Sequence, residues 1–271
     1  MTAQSDRYLI NSVLRATQIL ESFSFDKREY TNAELSKKLG LNRSTVTRLL
    51  YSLEKAGFLE RVNGSAKYKL TYKIYQIGKI YIKQTSLHRE AMPLLTELAS
   101  TCKETTHLAV LDKYEVFFID WIETSRSIGL MSLTGNNLPA YCTANGKVLL
   151  AHLDSKVLDD FFRRIPLKSH TPNTITDQSQ LRHHLDEVRN QGYAIDNAEF
   201  QLEVMGIASP VKDKNGDVVA SISVAGPIYR INAKKTLKKM INGVIKTADM
   251  ISRRLGYVDE NMKEGVVKYE F

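Results

Sequence analysis

Apolar residues keep two rhythms along this chain. Up to about residue 101 they recur every three or four positions, as helices require; beyond it they gather in short alternating runs divided by turn residues, as strands do. From Asn11, NSVLRATQILESF sets Val13, Ala16, Thr17, Leu20 and Phe23 on one helical face. In TNAELSKKLG, Thr31 and Glu34 have capping-box spacing and Gly40 supplies a left-handed stop after Leu39, which predicts a short second helix. Only Leu41 and a capping Asn42 separate it from a third helix, whose buried stripe is Val46, Leu49, Leu50 and Leu53. After Gly57, FLERV and SAKYKL flank Asn63-Gly64, the signal of a two-residue β-hairpin in which Lys67 and Lys69 alternate with Ala66, Tyr68 and Leu70. Helix, helix, tight turn, helix and basic hairpin is a winged helix-turn-helix, placed over residues 1–71.

The third helix carries distinctive chemistry on its outward face. Ser44, Arg48, Tyr51 and Lys55 lie opposite the apolar stripe, with Thr47 on the flank and Arg43 and Thr45 in the first turn. Short hydroxyls and helix-end amides hold phosphate, while an arginine fork accepts phosphate or the paired acceptors of guanine. Arg43, Ser44, Thr45, Thr47, Arg48 and Tyr51, with Lys67 and Lys69 on the wing, are therefore the expected contacts to double-stranded DNA. Binding to another protein is the alternative use of the same fold. Charge supports DNA: residues 1–70 hold 12 Lys and Arg against 7 Asp and Glu, and residues 229–271 hold 10 against 5, within a net +8.

TYKIYQIGKIYIKQTS keeps Ile74, Ile77 and Tyr81 on one face, predicting a linker helix over 72–87 suited to self-association. A second domain is expected over 88–271. Its first helix, LHREAMPLLTELAST, needs Pro93 near the first turn or at a break. THLAVLD, EVFFIDWI, SIGLMSL, MGIASPV and VVASISVAG read as strands. Helices are predicted at 145–153, 155–163, 177–192 with Thr176 as cap, and about 231–254. The fold class is thus α+β, a mostly antiparallel sheet covered by helices.

Composition narrows the function. At 43% hydrophobic and 25% charged, with no apolar run able to span a bilayer and no secretory pattern in MTAQSDRYLI, the expectation is a cytoplasmic protein without membrane contact. Cys102 and Cys142 are too far apart for a CxxC site and read as reduced core residues. GxSxG, HExxH and phosphate-loop motifs are missing, so neither enzyme, cofactor nor metal is expected. His107 reads as a hydrogen-bonded core histidine, His183 and His184 as surface residues, and Trp121 as core or interface.

Three stretches together resemble the IclR family of bacterial transcription regulators: SVLRATQILESF through ELSKKLGLNRSTVTRLLYSLEKAGFLER, then LPAYCTANGKVLLAHL, then QGYAIDNAEFQLEVMGIASPV with VVASISVAGPIYRI. The resemblance implies a winged helix, a linker helix and a GAF-like effector-binding domain. It implies a small-molecule effector, often an organic acid, a dimer or dimer of dimers on operator DNA, and either release from DNA or recruitment of RNA polymerase. Carried over, the helix-opening amides belong to Ala144 and Asn145, the polar positions to Asp196 and Ser223, and the apolar lining to Leu130, Leu138 and Val204. Gly206 stands where some relatives offer a polar side chain, and Ala225 replaces a serine. Both departures imply an effector larger or less polar than a two- or three-carbon acid. Asp196 equally fits a turn cap after a strand, and Ser223 would be polar with or without a ligand.

Overall fold

The computed structural model describes residues 9–24, 27–84, 86–124, 126 and 137–258, which form two compact units, 1–85 and 86–271. In the first unit the elements run α1 (Asn11–Leu20), β1 (Tyr30–Thr31), α2 (Asn32–Leu39), α3 (Arg43–Lys55), β2 (Leu59–Arg61), β3 (Lys67–Leu70) and α4 (Tyr72–Gln84). The Thr31 hydroxyl accepts from Glu34 N–H while the Glu34 carboxylate accepts from Thr31 N–H, and Gly40 closes α2 at φ 64°, so this helix is bounded as its sequence dictates. Ile19, Leu35, Val46, Leu50, Leu53, Leu59, Tyr30 and Tyr68 make one core.

Three expectations need correction here, and one strand was not expected. On α1 the buried residue is Ile19, flanked by half-buried Ala16 and Leu20, whereas Val13 and Thr17 are exposed; the apolar stripe is rotated because α2 and α3 cover only one side. Asn42 occupies the N-cap position of α3, but its side chain makes no capping bond. The hairpin loop has four residues: Arg61 pairs with Tyr68 and Val62 N–H donates to the Lys67 carbonyl, with Ser65 N–H closing a turn back to Val62. In this register Tyr68 lies in the core, between Arg61 of β2 and Tyr30 of β1. β1, unforeseen, adds a third strand beside β3, with Tyr30 opposite Tyr68.

The second unit runs α5 (Ser86–Cys102), β4 (Thr105–Asp112), β5 (Glu115–Ile122), β6 (Asn137–Pro139), a 3-10 turn (Ala140–Cys142), α6 (Ala144–Ala151), α7 (Ser155–Arg164), α8 (Gln178–Gln191), β7 (Ala194–Asn197), β8 (Val204–Lys212), β9 (Val218–Pro227), α9 (Ile228–Ile231) and α10 (Lys234–Arg254). The six strands order β6-β5-β4-β9-β8-β7, every pair antiparallel. One face packs on α5 and α10 through residues such as Leu95, Leu108, Ile222 and Val244; the other packs on α6, α7 and α8 through Phe118, Val148, Phe161 and Leu185.

Pro93 lies inside α5 without breaking it; it denies the Arg89 carbonyl a partner, but Arg89 is exposed and water can replace the bond, while buried Leu94 and Leu95 hold the helix down. Asp177, not Thr176, caps α8, accepting from Gln180 N–H at 2.8 Å. The basic terminal segment is two helices, separated at Asn232 and Ala233. The SIGLMSL strand and Leu130 lie outside the described residues, as does the side chain of Tyr81. None of the described helices is long and apolar enough to cross a membrane.

Candidate functional site

The first candidate surface is the outward face of α3. Arg43, Ser44, Thr47, Arg48 and Tyr51 are exposed, and Thr45 is half-buried. The Thr47 hydroxyl is already engaged, donating to the Arg43 carbonyl at 2.8 Å and accepting from Asn32 Nδ2 at 2.7 Å, so Asn32 at the start of α2 clamps the two helices at this face. Between α3 and the wing lies a groove lined by Thr47, Arg48, Tyr51, Ser52, Arg61 and Tyr68, with the Arg61 guanidinium over the Tyr68 ring at 5.2 Å. Arg61 was not singled out by the sequence; its place in the groove follows from the hairpin register. Lys67 and Lys69 are exposed as expected, yet each meets a carboxylate: Glu29 at 3.4 Å and Glu60 at 2.9 Å. Such exposed pairs contribute about 0–1 kcal/mol, so a phosphate can displace the glutamates.

The second candidate site is a cavity of about 100 Å³ between the sheet and the start of α6, large enough for a small organic molecule. Its lining includes seven residues expected from the sequence: Leu138, Ala144, Asn145, Asp196, Val204, Gly206 and Ser223. The eighth, Leu130, lies outside the described residues. Strand register explains the convergence. Asp196 on β7 pairs with Gly206 on β8, Gly206 with Ala225 on β9, and Ser223 on β9 with His107 on β4. Thus Asp196 sits within a strand rather than after one, although its Oδ1 also caps the following turn, accepting from Glu199 N–H at 2.7 Å.

α6 meets the cavity with its N-terminus. Thr143 caps it, accepting from Gly146 N–H, so Ala144 and Asn145 contribute the first two amides, which have no carbonyl behind them in the helix. The Asn145 side chain is tied to Ser221 Oγ at 3.0 Å. Two glycines permit this arrangement. A Cβ on Gly146 would stand 2.2 Å from the Ala140 carbonyl oxygen, so only glycine lets the 3-10 turn lie against the helix. A Cβ on Gly206 would stand 3.4 Å from that of Ala144 and 3.7 Å from that of Asp196, so the glycine leaves a methyl-sized gap between the helix start and the acid.

Three residues here were given no role from the sequence, and two histidines were placed differently. Phe118 and Phe200 supply apolar wall. Lys147, the residue after Gly146, has no exposed surface; its Nζ donates to Glu199 Oε1 and to the Ile195 carbonyl, bracketing Asp196 from behind. His107, expected as a bonded core residue, is only half satisfied: Nδ1 lies 3.3 Å from Ser223 Oγ, whereas Nε2 is buried without a partner among the described residues. His184, expected on the surface, is half-buried with Nε2 likewise unpartnered.

Burial governs the protonation of the site. It pushes the Asp196 carboxyl up to about 7, helped by the Glu199 charge and opposed by backbone N–H bonds and Lys147. It pulls His107 down to about 4, leaving a neutral ring at physiological pH. It pushes the Cys142 thiol up to about 12, so Cys142 is an inert core residue, while Cys102 is half-buried and also free. Among the described residues no group of three His, Cys, Asp or Glu could hold a metal.

Comparison with known proteins matches both units. Residues 12–63 match the family pattern described as the IclR helix-turn-helix domain, and residues 79–253 that of the bacterial transcriptional regulator IclR C-terminal domain. The chain is 34% identical to the HTH-type transcriptional regulator KdgR of Escherichia coli strain K12, covering 92% of this chain and 94% of that protein. It is 32% identical to the HTH-type transcriptional regulator XynR of the same strain, covering 92% and 98%. The crystal structure of the Thermotoga maritima IclR superposes with a TM-score of 0.73 at 30% identity, over 91% of this chain and 99% of that one.

Proposed function

The chain belongs to the IclR family of bacterial transcriptional regulators, and from that premise we propose that it controls an operon for the metabolism of a small organic acid that it binds itself. The observation that carries this reading is the cavity at the N-terminus of α6: Ala144 and Asn145, the first two residues at the positive end of the helix, line it together with Asp196, His107 and the apolar Phe118 and Leu138. That arrangement suits a carboxylate attached to an apolar body. The bare backbone of Gly206 and the methyl of Ala225 add no polar group to the lining, which suits an effector larger or less polar than a two- or three-carbon acid.

DNA recognition falls to the outward face of α3. Arg48 and Arg43 reach base edges or phosphates, Ser44, Thr45 and Tyr51 approach the backbone, and Lys67 and Lys69 follow it from the wing. A dimer or dimer of dimers presents recognition helices to successive major grooves, about 34 Å apart. The effector acts by binding one arrangement of the protein more tightly than another, since equal affinity would shift nothing. Release from operator DNA and contact with RNA polymerase are the two outcomes such a shift can have.

The test is a footprint on the DNA upstream of the protein's own gene and its neighbours, repeated with a panel of organic acids. Protection that covers inverted half-sites, and changes with one acid, supports the proposal. Protection indifferent to every acid would remove the sensing role and leave the DNA-binding one.

A further inference from the structure

One residue of the recognition face is left without a polar role by its own hydrogen bonds. Thr47 is exposed on α3 and lines the groove toward the wing, yet its hydroxyl is tied back into the protein. Ser36 Oγ donates to Asn32 Oδ1 at 3.2 Å, which fixes the amide so that Nδ2 faces α3. Nδ2 then donates to Thr47 Oγ1 at 2.7 Å and to the Arg43 carbonyl at 3.3 Å. Between an amide N–H and a carbonyl, the threonine proton has one destination: Oγ1 donates to the Arg43 carbonyl at 2.8 Å. Thr47 has no proton to offer a phosphate or a base acceptor. What this exposed side chain has left is its methyl group.

We propose that Thr47 is a specificity-determining residue that reads the 5-methyl group of a thymine in the major groove, and that Asn32 is the positioning residue that holds it to that task. The proposal rests on the DNA reading above, in which α3 enters the groove. Thymine alone among the four bases carries a methyl there, and the apolar side of a threonine packs against it. A β-branched side chain has few rotamers, and two hydrogen bonds to Oγ1 select one. With the hydroxyl held by α2 and by the preceding turn of α3, the methyl keeps a single orientation. A threonine free to rotate would present hydroxyl and methyl by turns and discriminate poorly between a base that needs one and a base that needs the other.

The experiment uses the full-length protein and the duplex protected in the footprint described above, synthesised with each thymine in turn replaced by deoxyuridine, which removes the methyl and keeps every hydrogen-bonding group. One thymine in each half-site should be sensitive, its replacement weakening binding about fourfold, the worth of burying one such group. Thr47→Val keeps a methyl and discards the hydroxyl; it should bind the thymine duplex within about twofold of the parent and retain the sensitivity. Thr47→Ser keeps the hydroxyl and its bonds but lacks the methyl, so the thymine and deoxyuridine duplexes should bind alike. Asn32→Ala should leave the melting temperature within a degree or two and bring the ratio of the two affinities toward one. Sensitivity that survives Thr47→Ser, or a Thr47→Val variant that loses the thymine duplex by about tenfold, overturns the methyl reading. A full ratio in Asn32→Ala overturns the part given to Asn32. A duplex with no sensitive thymine overturns the role of Thr47 and leaves recognition by α3 standing. Failure to protect any DNA removes the DNA reading itself, and this proposal with it.

Discussion

Lys147 of α6 and Glu199 of the turn after β7 form an ion pair in the interior, the lysine fully buried and the glutamate nearly so. Two charges removed from water stabilise a fold only while each has the other, and the loss of one strands its partner. Lys147→Met should therefore destabilise the second unit by about 3–5 kcal/mol, and Lys147→Met with Glu199→Leu should recover much of that. Urea denaturation of the three proteins measures it; a single variant as stable as the parent would refute the account.

The recognition face yields to a simpler test. Arg48 is exposed on α3, opposite Val46 and Leu50. Arg48→Ala should leave the melting temperature within a degree or two and weaken DNA binding by about tenfold. If Arg48 contacts a phosphate, the slope of log affinity against log salt should fall by about one; if it reads a base, the slope should hold and sequence preference should relax. Gel shifts at several salt concentrations separate the two.

Gly146 and Gly206 should respond oppositely to a methyl group. Gly146→Ala drives its Cβ into the Ala140 backbone, which cannot retreat, and should cost several kcal/mol in thermal unfolding. Gly206→Ala meets only ordinary contacts, so stability should change by less than about 1 kcal/mol. Gly206→Val should fold but fill the cavity, and the response of DNA binding to any acid should disappear.

Asp196 makes stability depend on pH. Its carboxyl titrates near 7 in the folded protein and near 3.8 when unfolded. The native state thus holds the proton more tightly, and stability falls as pH rises from about 4 to about 7, then levels off. Asp196→Asn should stabilise the protein at pH 8 by a few kcal/mol and scarcely alter it at pH 4. Denaturation midpoints across that range check the sign; a midpoint gain independent of pH would contradict it.

Much of this was legible in the residues. Helix ends were clearest where a side chain answers the backbone locally, as Thr31 answers Glu34 and Gly40 closes α2. The cavity lining could be named because the resemblance to the IclR family carries those positions over residue by residue. What escaped was decided by distant partners. The hairpin loop runs to four residues in a sheet where β3 also pairs with the distant β1, and α1 turned its Ile19 inward because α2 and α3 lie on that side. Lys147 has no partner near it in sequence; β7 and the turn after it, some fifty residues on, give it a carbonyl and a carboxylate. His107 has nothing near it in sequence to announce that Ser223 holds one nitrogen and leaves the other.

The pairing of β4 with β9 sets Thr105 against Ala225, more than a hundred residues further along the chain. During synthesis, β4 and β5 can join as soon as they leave the ribosome, but His107 must wait for Ser223, and the wall that closes around Gly206 must wait with it. The cavity is therefore among the last parts of the molecule to exist. On the reading proposed above, the chain binds no effector at this cavity until β9 has been made, whereas α3 is complete well before it.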